Sequence, residues 1–269
     1  MSRIEFAASF RKRPIRHVLM DWDGTTSLGR AGWGELMTDV YVEALPEIAG
    51  EDMAGRRAFA WGELMRLNGR PSIHQMAHLV ELVRRRGGSG ATAMEYQKDF
   101  QQRLGHFVDA RLADVQGGRR TADSLLVRGA RGLFTALRER GLALSLVSGT
   151  PITQLVAEAE LLGVAHFFEG RIHGPADTED RAFTKRGVFE QILQRQEHDG
   201  SALLAFGDGP VEIMEAKSLG GLAIAVASDE AEHGSERVDA WKRQSLLGVG
   251  ADAVIADFHE PHLLLSAIL

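Results

Sequence analysis

The chain has 269 residues, of which 44% are hydrophobic and 25% charged, a composition typical of globular proteins rather than of disordered or coiled-coil chains. Its formal charge of −6 argues against a protein whose whole surface binds nucleic acid or anionic lipid. No apolar run reaches the roughly 20 residues needed to cross a bilayer, and residues 1–17 lack the apolar stretch of a signal peptide, so we expect a cytoplasmic protein.

The first predicted element is a buried strand at residues 15–20, an apolar run that ends in the sequence DWDGTT. From residue 27 to residue 126 no strand pattern is convincing, and at least four amphipathic helical patterns follow one another. Two capping-box pairs lie among them, Ser72 with Gln75 and Thr92 with Glu95. Glycine-rich stretches at 27–34 and 116–124 suit the outgoing and returning linkers. We therefore predict a helical domain at 27–126, inserted into a core of residues 1–26 and 127–269.

Beyond the insertion, helical and strand patterns alternate. Apolar runs at 142–147, 202–206, 223–227 and 253–255 indicate buried strands, and helical spacing separates them. This alternation predicts an α/β fold with a doubly wound, Rossmann-like parallel sheet. The stretch 228–250 is longer than a crossover between strands requires. We interpret it as a surface helix, with a border to the ligand pocket as the alternative.

Polar residues directly follow three of the predicted strands. They are Asp21 and Asp23 after the first, Ser148 and Gly149 after the second, and Asp208 and Glu212 after the third. In an open parallel sheet, ligands bind beyond the carboxyl ends of the strands. Carboxylates gathered there repel one another unless a cation neutralises them, and such oxygen ligands suit Mg²⁺.

A second group of residues suits an anion. Ser148 and Gly149 precede Pro151, which fits the first position of a helix, so free N–H groups and a hydroxyl could hold phosphate. Lys185 adds a positive charge. Because the chain has no cysteine, catalysis must use oxygen and nitrogen groups. Together the residues suit phosphoryl transfer through a carboxylate nucleophile.

In order and spacing these residues resemble the four motifs of the haloacid dehalogenase (HAD) superfamily, which includes phosphatases with an aspartate nucleophile. The DxDGT motif corresponds to Asp21–Thr25, the second-motif serine to Ser148, the lone lysine to Lys185, and the GDxxx(D/E) motif to Gly207–Glu212. The resemblance covers residues 15–25 and 129–269. It implies a HAD-type core and identifies the helical insertion as a C1-type cap, which closes over the site and selects the substrate.

The resemblance also implies the roles of the catalytic residues. Asp21 would attack phosphorus to form an aspartyl phosphate, and Asp23 would protonate the leaving oxygen and then activate water. Mg²⁺ is the implied cofactor, held by Asp21, the backbone carbonyl of Asp23 and Asp208. Glu212 replaces the commoner second aspartate of the fourth motif, so we expect it near the metal through a water molecule, or orienting Lys185.

Four residues are candidates for binding the substrate phosphate. They are Thr25, Ser148, Gly149 and Arg30, the last because it follows the first motif at the linker to the cap. We therefore predict a Mg²⁺-dependent phosphatase for a small organic phosphate monoester, such as a sugar or polyol phosphate. The expected partner is a small phosphorylated metabolite, with no nucleic acid or membrane, and the protein would be a monomer or homodimer.

Three alternatives remain open at this point. A phosphomutase of the same superfamily would use the same pair of aspartates and return the phosphoryl group to its substrate. Phosphonoacetaldehyde hydrolases share a tryptophan and a Thr-Thr pair that resemble Trp22 and Thr25–Thr26. They typically have alanine at the second motif, however, and they need a Schiff-base lysine in the cap. A non-catalytic phosphate-binding protein would bind without turnover.

Overall fold

Seven short strands form one sheet in the computed structural model of the chain, which describes residues 4–67, 70–177, 183–196, 199–230, 232 and 234–269. The strands are β1 (Glu5–Phe6), β2 (His17–Asp21), β3 (Ala143–Val147), β4 (Ile172–His173), β5 (Leu203–Gly207), β6 (Leu222–Val226) and β7 (Ala253–Ile255). Their order across the sheet is β1-β7-β6-β5-β2-β3-β4. All neighbours are parallel except β1 and β7, which pair antiparallel.

The described residues also form ten α-helices. They are α1 (Trp33–Ala44), α2 (Met53–Met65), α3 (Ser72–Arg85), α4 (Ala93–Gln116), α5 (Ala130–Glu139), α6 (Ile152–Leu161), α7 (Lys185–Gln196), α8 (Pro210–Ser218), α9 (Ala240–Gly248) and α10 (Pro261–Ile268). None of the helices in this part of the chain combines the length and apolarity that a bilayer crossing requires.

The sheet is buried on both faces because its strands are apolar at successive positions. Side chains alternate across a strand, so Val18 and Met20 of β2 pack into one core with Phe134 of α5, whereas Leu19 packs into a second core with Phe189 of α7. The first core also receives α6 and α10, and the second receives α8 and α9. Helices therefore cover both faces, which confirms the predicted doubly wound α/β fold.

All five predicted strands are present, and their ends differ from the predicted ones by at most two residues. The two edge strands, β1 and β4, were not predicted. Each has only two residues, too few to give a recognisable period.

The chain divides into two compact units, one formed by residues up to Ala31 together with Leu112–Leu269, and the other by Gly32–Arg111. Residues 27–31 and 112–126, expected within the insertion, are thus grouped with the sheet, and the backbone N–H of Leu28 donates to the carbonyl of Leu125 at 2.8 Å. The assignment of residues 27–126 as a cap domain stays a prediction.

The unit Gly32–Arg111 has a core of its own, in which the buried Tyr41 hydroxyl donates to the carbonyl of Gln75 at 2.6 Å. The capping box at Thr92 is confirmed, since its N–H donates to Glu95 Oε2 at 2.7 Å. The prediction of a capping box at Ser72 is wrong. Helix α3 already begins at Ser72, and Gln75 donates instead to the carbonyl of Leu67.

Candidate active site

Three neighbouring strands bring the predicted site residues to one edge of the sheet. Asp21 is the last residue of β2, Ser148 follows β3, and Asp208 follows β5. Strand β2 lies between β3 and β5, with Asp21 in register with Val147 and Met20 in register with Phe206. The parallel arrangement therefore places all three side chains at the carboxyl ends of the strands.

The loop after β2 requires glycine at position 24. Gly24 has φ of +73°, in the left-handed region, and its N–H donates to the carbonyl of Ser27 at 2.9 Å. A Cβ atom at this position would collide with the carboxylate of Asp208. Gly24 therefore allows the loop both to turn and to lie directly against Asp208. The loop is held further by Thr26, whose hydroxyl donates to the carbonyl of Asp21 at 2.7 Å.

Lys185 links the two carboxylates at the base of the site. Its Nζ lies 2.6 Å from Asp21 Oδ1 and also donates to Glu212 Oε1, and all three side chains are largely buried. Burial raises the pKa of Asp21 well above its ordinary value, with Lys185 opposing the shift, and Glu212 and Asp208 adding to it. Burial alone would lower the pKa of Lys185, but its two carboxylate partners, Asp21 and Glu212, raise it above its ordinary value, which favours the ammonium form.

Glu212 lies in the first turn of α8, where it is packed against the loop that leads into the helix. A Cβ atom at Gly209 would lie 2.7 Å from Glu212 Oε2, and that buried oxygen has no hydrogen-bond partner among the described residues. Its other oxygen accepts from Lys185. Of the two roles expected for Glu212, these contacts favour the orientation of Lys185, and the role stays a prediction.

Asp23 has a separate set of partners. Its Oδ1 accepts from Arg30 Nη1 at 2.8 Å, and its Oδ2 accepts from the hydroxyls of Thr150 at 3.0 Å and Ser148 at 3.4 Å. Desolvation in the crevice raises the pKa of Asp23, and Arg30 opposes this shift. The side chain is 33% exposed, so Asp23 is held in position and is still open to a ligand.

The predicted anion-binding segment is only partly free for a ligand. The N–H of Ser148 donates to the carbonyl of His173 at 3.0 Å, and the N–H of Thr150 donates to Ser148 Oγ at 2.9 Å. The N–H of exposed Gly149 has no partner among the described residues. Pro151 precedes α6 as its N-cap instead of opening it, a correction of one residue.

Arg30, predicted to bind substrate, is committed to two carboxylates. Besides Asp23, its guanidinium group holds both oxygens of Glu158 in α6, at 2.9 and 2.8 Å. Glu158 is 2% exposed and also accepts from Trp22 Nε1 at 2.8 Å. Sequence reasoning missed Glu158, although a carboxylate beside Leu155 on the apolar face of a helix is a recognisable signal.

Asp208 is held by a residue from the stretch 228–250. Lys242 of α9 donates from Nζ to Asp208 Oδ2 at 2.9 Å and to Glu230 Oε1, and the three side chains are mostly buried. The hydroxyl of fully buried Thr25 lies 3.4 Å from Asp208 Oδ1. Residues 228–250 thus contain the helix that the sequence predicts, and through Lys242 they also border the candidate site, as the alternative interpretation expects.

The charges of the site leave an excess of negative groups. Among the residues that the structure describes, six acidic side chains of the site face three basic ones: Asp21, Asp23, Glu158, Asp208, Glu212 and Glu230 against Arg30, Lys185 and Lys242. Among the described residues no three His, Asp or Glu side chains are gathered as a ready-made metal cage.

Two carboxylates nevertheless suit a divalent cation. Asp21 Oδ2 accepts no hydrogen bond from the described residues, and Asp208 Oδ1 has only the long contact with Thr25. Asp208 lies directly against the backbone of Gly24, because glycine has no side chain to keep them apart. The excess negative charge and these two oxygens fit Mg²⁺, which retains several water ligands in most proteins.

Comparison with known proteins connects this geometry to a family. The profile of the haloacid dehalogenase-like hydrolases matches residues 15–220. No curated protein sequence matches the chain. Among solved structures, a predicted phosphoglycolate phosphatase from Haemophilus somnus has 15% identity and a TM-score of 0.61, over 94% of this chain and 98% of that one.

Two further solved structures have the same fold. A HAD family hydrolase from Deinococcus radiodurans, with bound phosphate and sodium, has 14% identity and a TM-score of 0.62, over 95% of this chain and 97% of that one. A β-phosphoglucomutase candidate from Thermotoga maritima has 16% identity and a TM-score of 0.57, over 95% of this chain and all of that one (100%). At these identities the likeness concerns the fold.

Proposed function

Since the chain belongs to the haloacid dehalogenase-like hydrolase family, we propose that it is a Mg²⁺-dependent phosphatase acting on a small organic phosphate monoester. The observation that carries this proposal is the environment of Asp21. One of its carboxylate oxygens is held by Lys185 and the other has no partner among the described residues. A buried carboxylate that is oriented on one side and open on the other suits a nucleophile.

In the first half-reaction, an oxygen of Asp21 attacks the phosphorus atom as the bond from phosphorus to the leaving oxygen breaks. Asp23 gives its proton to that oxygen, and an alcohol departs. In the second half-reaction, Asp23 takes a proton from water, and the water oxygen attacks the phosphorus of the aspartyl phosphate. Inorganic phosphate leaves and the carboxylate of Asp21 is regenerated.

The surrounding residues position the phosphoryl group. Lys185, the hydroxyl of Ser148 and the N–H of Gly149, which no described residue accepts, supply donors for its oxygens. Mg²⁺, held by Asp21, Asp208 and the backbone carbonyl of Asp23, would supply positive charge to the same oxygens. The D. radiodurans protein, which has this fold, contains phosphate and sodium, and this agrees with a site for an anion and a cation.

The inserted helices support the proposed substrate class. We propose that residues 27–126 act as a cap and select a small phosphorylated metabolite, such as a sugar or polyol phosphate, because a covered pocket would obstruct a folded phosphoprotein. A phosphomutase of the same fold would use the same aspartates. Because the β-phosphoglucomutase candidate from T. maritima has this fold, the experiment must also distinguish a mutase from a phosphatase.

The test is release of inorganic phosphate from a panel of small phosphate monoesters, with Mg²⁺ or with EDTA. Asp21→Asn removes the nucleophile, and Asp123→Asn is the matched control, because Asp123 is 69% exposed and pairs with Arg131 at the surface. We expect metal-dependent release from wild type and from the control, and none from Asp21→Asn. Full release from Asp21→Asn would refute the mechanism. A rearranged sugar phosphate with little free phosphate would identify a mutase.

A further inference from the structure

A lysine pairs with one oxygen of the carboxylate whose other oxygen is open to the proposed cation. Lys242 Nζ lies 2.9 Å from Asp208 Oδ2 and also pairs with Glu230. The exposed fractions of the three side chains are only 14%, 18% and 17%, in the order Lys242, Asp208, Glu230. Because solvent screens largely buried charges weakly, the positive charge of Lys242 acts strongly on an ion bound nearby.

The lysine is anchored by the fold. Asp239 caps α9, its side chain accepting from the N–H of Lys242 at 2.7 Å, and the N–H of Asp239 donates to the carbonyl of Ala227 at 2.8 Å. The next residue, Ser228, forms a bridge with Val238, and its hydroxyl lies 3.3 Å from the carbonyl oxygen of Gly24. The first turn of α9 is therefore tied to the end of β6 and to the loop after β2.

Asp208 thus has two competing cations. With Lys242 in place, one carboxylate oxygen is already neutralised, and an arriving divalent cation meets a fixed positive charge. When the cation binds, Lys242 can release Asp208 without becoming an unpaired buried charge, because Glu230 still holds it. The ammonium group of Lys242 therefore has two carboxylate partners, Asp208 and Glu230, and can give up the first while it keeps the second.

We propose that Lys242 is an internal counter-ion that competes with Mg²⁺ for Asp208, and that Glu230 weakens this competition by holding the ammonium group. The inference rests on the proposed magnesium site. Glu230 and Lys242, both in the stretch 228–250, would thus adjust the affinity of the site for the metal. The family motifs at Asp21 and Asp208 do not include either residue of this pair.

The test is calorimetric titration of the metal-free protein with MgCl₂, without substrate. Lys242→Met removes the competing charge and should lower the Kd for Mg²⁺ by about tenfold, a modest value for one unit charge nearby at an effective dielectric constant of about 20. Glu230→Gln removes a negative charge and leaves the ammonium to Asp208, so it should raise the Kd by about tenfold. Lys12→Met makes the same change in net charge at an exposed residue that precedes β2 and donates to the carbonyl of Ser266, so it should leave the Kd unchanged.

The opposite signs separate this inference from simple damage to the fold, which would weaken binding in both variants. Lys242→Gln, with circular dichroism of each protein, provides a second replacement in case the methionine variant misfolds. If wild type binds Mg²⁺ but folded Lys242→Met and Lys242→Gln bind it equally or more weakly, the inference is overturned and the magnesium site stands. If neither wild type nor these variants bind Mg²⁺, both are overturned. Binding by the variants alone supports the inference.

Discussion

Replacing Glu158 by Gln perturbs the buried ion pair behind the candidate active site. Glu158 accepts hydrogen bonds from Arg30, Trp22 and Gln154 at 2.8 to 3.0 Å. Glutamine preserves the size of the side chain, but it removes the charge and presents an NH₂ group to partners that are themselves donors. Arg30 would then keep only one carboxylate partner, Asp23.

The size of the effect follows from these contacts. Removing one partner of a buried ion pair costs about 3–5 kcal/mol when the other charge is left unpaired. Here Arg30 retains Asp23, so we expect a loss of about 2–3 kcal/mol in the free energy of unfolding, the upper part of the range for hydrogen bonds to charged groups. At about 2–4 °C per kcal/mol for chains of roughly this size, the melting temperature should fall by about 4–12 °C.

Urea unfolding followed by circular dichroism measures this loss, with thermal unfolding as a second readout. Glu160→Gln is the matched control, because Glu160 lies on the same helix, α6, and is exposed. The control should change the free energy of unfolding by less than about 0.5 kcal/mol. If Glu158→Gln unfolds at the same urea concentration as the control, the buried network contributes nothing and the reasoning fails.

Two further predictions concern the loop after β2 and the buried lysine. Gly24→Ala should eliminate phosphate release because its Cβ collides with Asp208, whereas Gly141→Ala, at φ of +72° with no atom within 4 Å, should lose only about 1–2 kcal/mol of stability. Phosphate assays on both variants decide this, and equal activity would contradict the close approach. Lys185→Met should lower kcat at least about 100-fold, since it removes a donor and leaves two buried carboxylates without their counter-charge. Wild-type kcat in this variant, with exposed Arg186→Met as the folding control, would contradict the role of the lysine.

The sequence alone predicted the sheet and the edge at which the site lies. Apolar runs marked five strands, and their alternation with helical patterns implied parallel neighbours. Since parallel strands end at the same edge, the residues that follow them could be expected to meet. Asp21, Ser148 and Asp208 do follow neighbouring strands, and Lys185 does reach Asp21. The catalytic roles given to these residues stay predictions.

Only the tertiary structure decided which side chains pair with one another. Arg30 meets Glu158 across 128 residues of sequence, and Lys242 meets Asp208 across 34. Local periodicity reports which face of an element is apolar, but it does not report what lies opposite a charged group on another element. The sequence by itself therefore determined the fold and the positions of the motif residues. The pairing of Arg30 with Glu158 and of Lys242 with Asp208 depended on how α6 and α9 pack against the sheet, because an ion pair forms wherever packing brings opposite charges within a few ångströms.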